Sequence, residues 1–435
     1  MSTWKPLGVF AVAVAIATPA FAEVPAKPTF TKDIAPIFQE KCEACHRVDS
    51  IAPMPLTTFE EARPWARSIK ARVSERQMPP WHLDKSVGIQ DFKNDRSLSD
   101  DQIETIVRWI DQGATKGDPK DMPPAKVWPS EQGWNFAKLF GQTEPDLIVR
   151  STPWTQKAGA NDTWWKTVVD SGLTEPRWVR AVEVRPGTVK GRKITHHANT
   201  DLLQYDPDAL DPQMTPGRFT EWAVGKQPEL MRPNSGMLMQ PGAKIAWDIH
   251  YSNGGEDITD FVELGIYFYP KGQEPKYRQH LVRMGKTGVG AIDIPPNTVQ
   301  PTEFHFPLRQ AARIESFQPH MHLRGKAMTL EAILPSGQTV VLSHVGDFNF
   351  NWHNSYVYAD NAAPLLPRGT IIKVRSWHDN TAAHKSNPDP NVWVGYGDRT
   401  VDEMAHAWVN VTYLSDEDYL AEVDARRAVL ARTQQ

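Results

Sequence analysis

The chain has 435 residues, which by length corresponds to roughly two or three domains. Its 48 Lys and Arg nearly balance its 52 Asp and Glu, so the formal net charge is −4, and no basic cluster indicates a nucleic-acid partner. Two cysteines are too few for a small disulfide scaffold. The 36 prolines, 27 glycines and 16 tryptophans favour turn-rich β structure over a helical bundle.

Residues 1–22 have the organisation of an export signal. A basic start is followed by the apolar stretch Val9 to Ala17, and Ala20-Phe21-Ala22 ends with small residues at the positions a signal peptidase reads. The apolar stretch is shorter than the about 20 residues that a membrane span needs. We therefore predict cleavage before Glu23, a periplasmic location of the Gram-negative type, and no stable membrane insertion after cleavage.

The first motif after the signal is Cys42-Glu43-Ala44-Cys45-His46, the C-x-x-C-H pattern of covalent haem attachment. Two thiols one short turn apart can bond the two vinyl groups of one haem, while the adjacent histidine meets the iron. A thioredoxin-like redox pair or half of a zinc site is the alternative, although no second cysteine pair exists to complete a zinc site. We predict one covalent haem c, held by Cys42, Cys45 and His46.

The residues around this motif predict a small all-α domain. Within residues 34–38, the apolar side chains lie at helical spacing before the motif. Ser99-Asp100-Asp101-Gln102 is a capping box, and Gly113 is placed to end the helix that follows it. The apolar stripe of that helix consists of Ile103, Ile106, Val107 and Ile110. With a haem motif near its start and an amphipathic helix near its end, residues 24–118 resemble a small class I cytochrome c domain.

A domain of this kind usually supplies a methionine as the sixth iron ligand, and a thioether ligand raises the haem potential. We predict Met78 for this role, because the prolines of Gln77-Met78-Pro79-Pro80-Trp81 restrict the conformations of its loop. Met54 and His82 are the alternative ligands, and packing in the core is the common role of a methionine. Residues 119–135, rich in proline, glycine and charge, are predicted to be a linker.

From residue 136 to 414, short alternating runs separated by Gly, Pro, Asn and Asp predict β-sandwich structure. In the segment 245–251 the large apolar residues occupy one strand face and His250 lies on the other. In the segment 317–323, His320 and His322 alternate with apolar residues, and two histidines on one strand face can bind a single ion. Together with His196-His197 these positions predict a metal site, with surface or structural histidines as the alternative.

The same region resembles the copper type II, ascorbate-dependent monooxygenases, the family of peptidylglycine α-hydroxylating monooxygenase and dopamine β-monooxygenase. The matching segments occur in the family's order; they are His196-His197, Asp248-Ile249-His250-Tyr251, His320-Met321-His322 with Leu323 to Lys326 after it, and Asp402-Glu403-Met404. The resemblance implies a mainly β fold with two jelly-roll-like sandwich lobes, at residues 136–290 and 291–414, with a solvent-filled cleft between two copper ions. A helical tail, 415–435, is predicted to follow, with Ser415 as its cap.

By match of position, the resemblance implies two ligand sets. His196, His197 and His250 would hold the electron-transfer copper, and His320, His322 and Met404 would hold the copper that binds O2 and faces the substrate. The second set is therefore also the predicted catalytic set. A thioether favours Cu(I), while imidazole suits both copper oxidation states. For the nearby His378, His384 and His406 we expect surface or structural roles, with support of the metal ligands or service as spare ligands as the alternative.

The predicted function is that of an exported monooxygenase that uses O2 to hydroxylate a C–H bond of a small organic or peptide-like substrate. The fused haem domain indicates that a periplasmic electron donor reduces the haem, which then supplies the first copper. One alternative is a periplasmic electron-transfer or copper-binding protein without oxygenase activity. Another is a dehydrogenase whose electrons leave through the haem.

Overall fold

The computed structural model describes residues 24–48, 50–128, 133–206, 217–223, 226 and 228–433. The predicted export signal therefore lies outside the described residues. The chain is mainly β, with 38% of residues in strands against 17% in helices, as predicted. Within the described part, none of the helices combines the length and the apolar character that crossing a bilayer requires.

The N-terminal part contains most of the helices before the tail. Its elements are a π-helical turn (Phe30–Ile34), α1 (Ala35–Lys41), α2 (Phe59–Ala62), a 3₁₀ turn (Arg63–Trp65), α3 (Ala66–Ser74), β1 (Leu83–Gly88), α4 (Asp100–Asp111) and a 3₁₀ turn (Pro119–Asp121). The predicted capping box of Ser99 begins α4, and Gly113, with φ of 96°, follows its end.

These helices surround a hydrophobic core of their own. Ile34 and Phe38, from the predicted helical segment before the haem motif, are buried in it. The stripe of α4 differs from the prediction at one position: Val107 is only partly buried, whereas Trp109 is fully buried and packs against Phe30. The helical periodicity places the larger indole on the face that the core occupies.

The first part of the β region carries two short helical turns, Lys138–Phe140 and α5 (Gly191–Ile194). Its strands are β2 (Leu147–Arg150), β3 (Trp154–Gln156), β4 (Thr163–Asp170), β5 (Arg177–Pro186), β6 (Thr195–Leu203), β7 (Gly217–Ala223), β8 (Glu229–Leu230), β9 (Ser235–Met239), β10 (Lys244–Tyr251), β11 (Ile258–Asp260), β12 (Val262–Phe268) and β13 (Tyr277–Lys286). The main sheet has the order β2-β12-β5-β9-β13-β7-β6-β10-β4, β8 pairs with β5, and β3 pairs with β11. As predicted, Trp247 and Ile249 of β10 point into the core of this part.

The second part has its own core and a five-stranded sheet of order β1-β18-β17-β21-β15. Its strands are β14 (Asp293–Ile294), β15 (Val299–Pro307), β16 (Ala311–His320), β17 (Gly325–Ile333), β18 (Thr339–Val345), β19 (Tyr356–Val357), β20 (Leu365–Leu366), β21 (Ile371–Asp379), β22 (Val394–Gly395) and β23 (Ala405–Leu414). The tail helix α6 (Asp416–Thr433) follows, and the Ser415 hydroxyl accepts the backbone N–H of Asp418 at 3.0 Å as its cap.

The two parts are continuous through one strand pair. β13, from the first predicted lobe, pairs antiparallel with β23 of the second from Gln279 opposite Thr412 to Lys286 opposite Ala405. β23 in turn pairs with β16. The large sheet that results is nearly closed and barrel-like, and it brings strands of both predicted lobes side by side.

The N-terminal part is attached to this β region by a strand that the prediction of an all-α domain did not include. β1 pairs antiparallel with β18, with Leu83 opposite Val345 and Gly88 opposite Ser343. Trp81 and Leu83 are buried in the core of the second part. Because this strand belongs to the sheet of the second part, the haem-motif region lies against that part.

Candidate metal centre

The first predicted ligand set is brought together by two neighbouring strands. His197 on β6 lies directly opposite His250 on β10, and His196 precedes His197. One ligand nitrogen from each of the three histidines lies within 4.8 Å of the others. The Nδ1 atoms of His196 and His197 are 3.1 Å apart, a separation that allows both to bind one ion through bonds of about 2 Å.

The ring of His250 is held on both its edge and its face. Its Nε2 lies 2.9 Å from a carboxylate oxygen of Asp162, and Trp164 stacks on it with ring centroids 4.3 Å apart and an angle of 10°. In the neutral imidazole, Nε2 donates its hydrogen to Asp162, so the Nδ1 lone pair is left for a metal ion. Asp162 and Trp164 therefore orient His250.

The histidines of the second predicted set also lie side by side. The ring centroids of His320, at the end of β16, and His322 are 5.4 Å apart. His406 on β23 lies opposite His320, with the two rings stacked at 4.7 Å. His406, expected to have a surface or structural role, is buried and in contact with this set.

The Asp402-Glu403-Met404 segment positions His322. The backbone carbonyl of Asp402 accepts the Nδ1 hydrogen of His322 at 3.1 Å, which leaves Nε2 free. The Glu403 carboxylate accepts the backbone N–H groups of His322 at 2.9 Å and of Arg324 at 2.6 Å. Glu403 is fully buried, and burial raises its pKa to about 8.

Met404 itself is fixed through its backbone, because its carbonyl accepts a hydrogen bond from Nε2 of His378 at 3.0 Å. His384 has a comparable structural contact, with Nε2 2.9 Å from the carbonyl oxygen of Leu323. The expected structural roles of His378 and His384 thus correspond to contacts that hold the loops of the second set. These contacts do not fix the Met404 thioether, so its role as a ligand stays a prediction.

One further histidine joins the two sets. The ring centroid of His353 lies 5.4 Å from that of His320, 5.7 Å from His197 and 5.8 Å from His196. Ring contacts therefore connect the histidines of both predicted sets into one group, here named the histidine cluster. Its members are His196, His197, His250, His320, His322, His353 and His406.

The electrostatics of the cluster favour neutral imidazole rings. Burial, together with repulsion from the neighbouring histidines, lowers the pKa of His196 to about 3. The same two causes hold the pKa of His197 and of His320 well below the usual range. A histidine binds a metal ion in its neutral form, and grouped imidazoles suit copper. The residues of the first set therefore fit a copper ion.

The haem motif forms a tight turn. The backbone N–H groups of Cys45 and His46 both donate to the carbonyl of Cys42, at 3.1 and 2.9 Å, and neither thiol is in a disulfide. Nδ1 of His46 donates to the carbonyl of Met54 at 3.1 Å, which leaves Nε2 for a metal ion. Two thiols outside any disulfide and an oriented imidazole fit a covalently attached haem.

The same hydrogen bond bears on the sixth iron ligand. It places the Met54 backbone at the Nδ1 edge of His46, away from the nitrogen that would bind iron, and the choice of Met78 as sixth ligand stays a prediction. Met78 lines a cavity of about 630 Å³ together with Pro79, Trp81 and Leu98. His82, the third candidate, lines the same cavity, and burial lowers its pKa.

The described part of the predicted linker packs back onto the haem motif. The Trp128 indole N–H donates to the Glu43 carboxylate at 3.2 Å. Lys126 lies over the Trp128 ring, 4.3 Å from its centroid. Residues 119–128 thus contact the haem motif, whereas composition alone predicts that they are a linker.

A second cavity, of about 750 Å³, lies close to the histidine cluster. Its lining includes Trp408, Arg218 and Arg283, and the Trp408 ring meets His406 edge-on at 5.2 Å. The Arg218 guanidinium lies over the Trp408 ring, 4.7 Å from its centroid. Trp408 therefore lies between this cavity and His406 of the cluster.

Sequence reasoning did not identify His353, Asp162 or Trp164. Asp162 and Trp164 lie at the start of β4, which meets His250 only through strand pairing. His353 lies in a loop, Asn349 to Asn354, that has neither strand alternation nor a metal-ligand spacing. Only the assembled fold brings these residues to the site.

Comparisons with known proteins add no functional assignment. No protein-family model and no curated protein matches the sequence. Among solved structures, the chain is similar to the major capsid protein P2 from bacteriophage PM2, with 11% identity, a TM-score of 0.28, and coverage of 61% of this chain and 97% of that chain. It is also similar to a structure of infectious bursal disease virus, Gt strain, with 9% identity, a TM-score of 0.18, and coverage of 64% and 76%. Similarities at these TM-scores carry no argument about function.

Proposed function

We propose that this chain is an exported monooxygenase with one c-type haem and two copper ions. It uses O2 to hydroxylate a C–H bond of a small organic or peptide-like substrate, with electrons delivered by a periplasmic donor through the haem. The observation that carries the proposal is the histidine cluster, in which partly or fully buried histidines of both predicted copper sets lie together, in a chain that also has a C-x-x-C-H motif.

Each metal centre has its own set of ligands in this proposal. One copper ion is held by His196, His197 and His250, and the other by His320, His322 and Met404. The haem is held by Cys42, Cys45 and His46, with Met78 as its sixth ligand. When bound, copper supplies one-electron redox chemistry and the activation of O2, and haem supplies one-electron transfer.

The protein's own contribution is orientation and burial. Asp162 and the Asp402 carbonyl each take the hydrogen of one ring nitrogen, so the opposite nitrogens of His250 and His322 face the metal positions. The Phe350 ring stacks on His196 at 5.5 Å and lies 5.8 Å from His322, which limits the access of water to both. The cavity beside Trp408, whose ring contacts His406, provides space for a substrate near the cluster.

The proposal is tested first by metal content and then by oxygen labelling. The full chain, matured with haem-attachment machinery and supplied with copper, is analysed for iron and copper, and candidate substrates are incubated under ¹⁸O₂. We expect one iron and two coppers per chain and ¹⁸O in the product. His322→Ala should keep the iron and the copper of the first set, lose the second copper and abolish labelling, because it removes a ligand of the oxygen-binding copper.

His344→Ala is the matched control, since His344 lies outside the cluster and bonds to the Thr329 hydroxyl at 2.8 Å. It should leave metal content and labelling unchanged. A His322→Ala protein that hydroxylates at the normal rate would overturn the assignment. Bound iron and copper with a product oxygen that comes from water would instead support a dehydrogenase, and iron without copper would support an electron carrier.

A further inference from the structure

The segment 353–357 lies between the haem-motif region and the histidine cluster. On the cluster side, His353 is 7% exposed and its ring contacts those of His320, His197 and His196. A single residue of this segment therefore touches histidines of both predicted copper sets.

The other side of the segment is bound to the loop that carries Met78. The Asn354 side-chain amide donates to the backbone carbonyl of Pro80 at 2.9 Å, and Asn354 is itself buried. The rings of Tyr356 and Trp81 meet edge to face, with centroids 4.7 Å apart. Pro80 and Trp81 are two and three residues after Met78 in the sequence.

One further residue of the haem-motif region holds the segment from the same side. The Asn94 amide donates to the Ser355 carbonyl at 2.7 Å and accepts the Val357 N–H at 3.0 Å. The segment is thus bound both to the loop that carries Met78 and to Asn94.

We propose that the segment 353–357 is the route by which electrons pass between the haem and the copper held by the histidine cluster. This inference rests on the proposed function, since it requires both metals. The step is a one-electron transfer: the ferrous haem iron becomes ferric, a cupric ion in the cluster becomes cuprous, and no bond or proton changes place. The route crosses from Pro80 to Asn354 by one hydrogen bond, from the Asn354 side-chain amide to the Pro80 carbonyl. It then continues through covalent bonds, along the Asn354 side chain and backbone, to His353.

The experiment follows the haem directly. Full-length protein with ferric haem and cupric ions is kept free of O2, and a photochemical one-electron reductant delivers a single electron to the haem. The subsequent decay of ferrous haem absorbance, with a matching loss of the cupric paramagnetic resonance signal, reports transfer to copper. The same protein without copper should show no such decay.

Asn354→Leu keeps the size of the side chain and removes the donor to Pro80. We expect it to slow the decay several-fold while leaving iron and copper content unchanged. Asn351→Leu is the control, because Asn351 is exposed in the same loop, and its decay should match that of the unaltered protein. If Asn354→Leu does not fold, Asn354→Ala removes the same donor with less bulk.

The outcomes separate the inference from the proposed function. Unchanged decay in both Asn354 variants, in a protein that inserts oxygen, overturns the route and leaves the function standing. Decay that depends on Asn354, in a protein that inserts no oxygen from O2 into any substrate, supports the route and overturns the function. A ferrous haem that never passes its electron to copper overturns the route.

Discussion

At His250, one carboxylate decides which ring nitrogen is available to a metal ion. Asp162 lies 2.9 Å from Nε2 and, by accepting its hydrogen, leaves the Nδ1 lone pair available to a metal ion beside His196 and His197. Removing such a partner of a metal-binding histidine typically weakens metal affinity about 10- to 100-fold. We therefore expect Asp162→Ala to weaken copper binding to the first set by that factor, as measured by competition with a chromogenic copper chelator.

Asp170→Ala is the control for this substitution. Asp170 is at the far end of the same strand, β4, where its carboxylate accepts the backbone N–H of Gly172 at 2.8 Å. Its replacement should leave copper affinity unchanged. Equal affinities of the Asp162 and Asp170 variants would contradict an orienting role for Asp162.

The residues of the candidate site differ in how far the sequence predicts them. His250 and His320 lie in strands whose alternating sequence places them on the face opposite the apolar residues. The face on which each histidine lies can therefore be predicted from the neighbouring residues alone. Asp162 reaches His250 only because β4 pairs with β10, which is a long-range contact without a local pattern. His353 depends on a loop whose position is set by contacts with residues 80 and 94. Local spacing therefore indicates the candidate metal ligands better than the residues that orient or join them.

At the scale of elements, β1 is the attachment of the haem-motif region to the second part. Gly88 at its end has φ of 74°, and a Cβ there would come within 2.6 Å of the Leu342 backbone carbonyl oxygen. We expect Gly88→Ala to lower the free energy of unfolding by more than the roughly 1–2 kcal/mol that left-handed backbone alone costs a side chain. Denaturant unfolding of the full chain measures this change.

Gly272→Ala is the matched control, because Gly272 has φ of 78° and a Cβ there would meet nothing within 4 Å. The difference between the two variants isolates the close approach of β1 to β18 from the cost of the backbone conformation. If both variants lose the same stability, the close approach contributes nothing to the attachment.

The sequence predicts those helices and strands that carry a pattern in their own residues. The capping box at Ser99 and the following glycine define α4 at both ends, and alternating apolar residues define β10. β1 has no such signal: Leu83 is buried, but half of the strand is exposed, and its pairing partner lies about 260 residues away in sequence. The position of such a strand is determined by the strand with which it pairs, here β18.

For the whole molecule, the continuous packing makes separate unfolding of the haem-motif region unfavourable. Trp81 and Leu83 are buried in the core of the second part, and the ring of Trp81 also contacts Phe92 and Tyr356. Separating the two regions exposes these apolar side chains, and truncating a buried tryptophan to alanine typically costs about 3–5 kcal/mol. The two regions should therefore unfold together.

Thermal unfolding of the haem-loaded chain tests this coupling with two probes. Haem absorbance reports the N-terminal region, and far-ultraviolet circular dichroism reports the strands. We expect one common midpoint in the unaltered protein and two separate midpoints in Trp81→Ala, because the core contact that joins the regions is lost. Trp65→Ala, at a position 45% exposed in the same region, should keep a common midpoint. Separate midpoints in the unaltered protein would mean that the haem-motif region folds independently, and a fixed electron route through the segment 353–357 would then have no rigid contact to rest on.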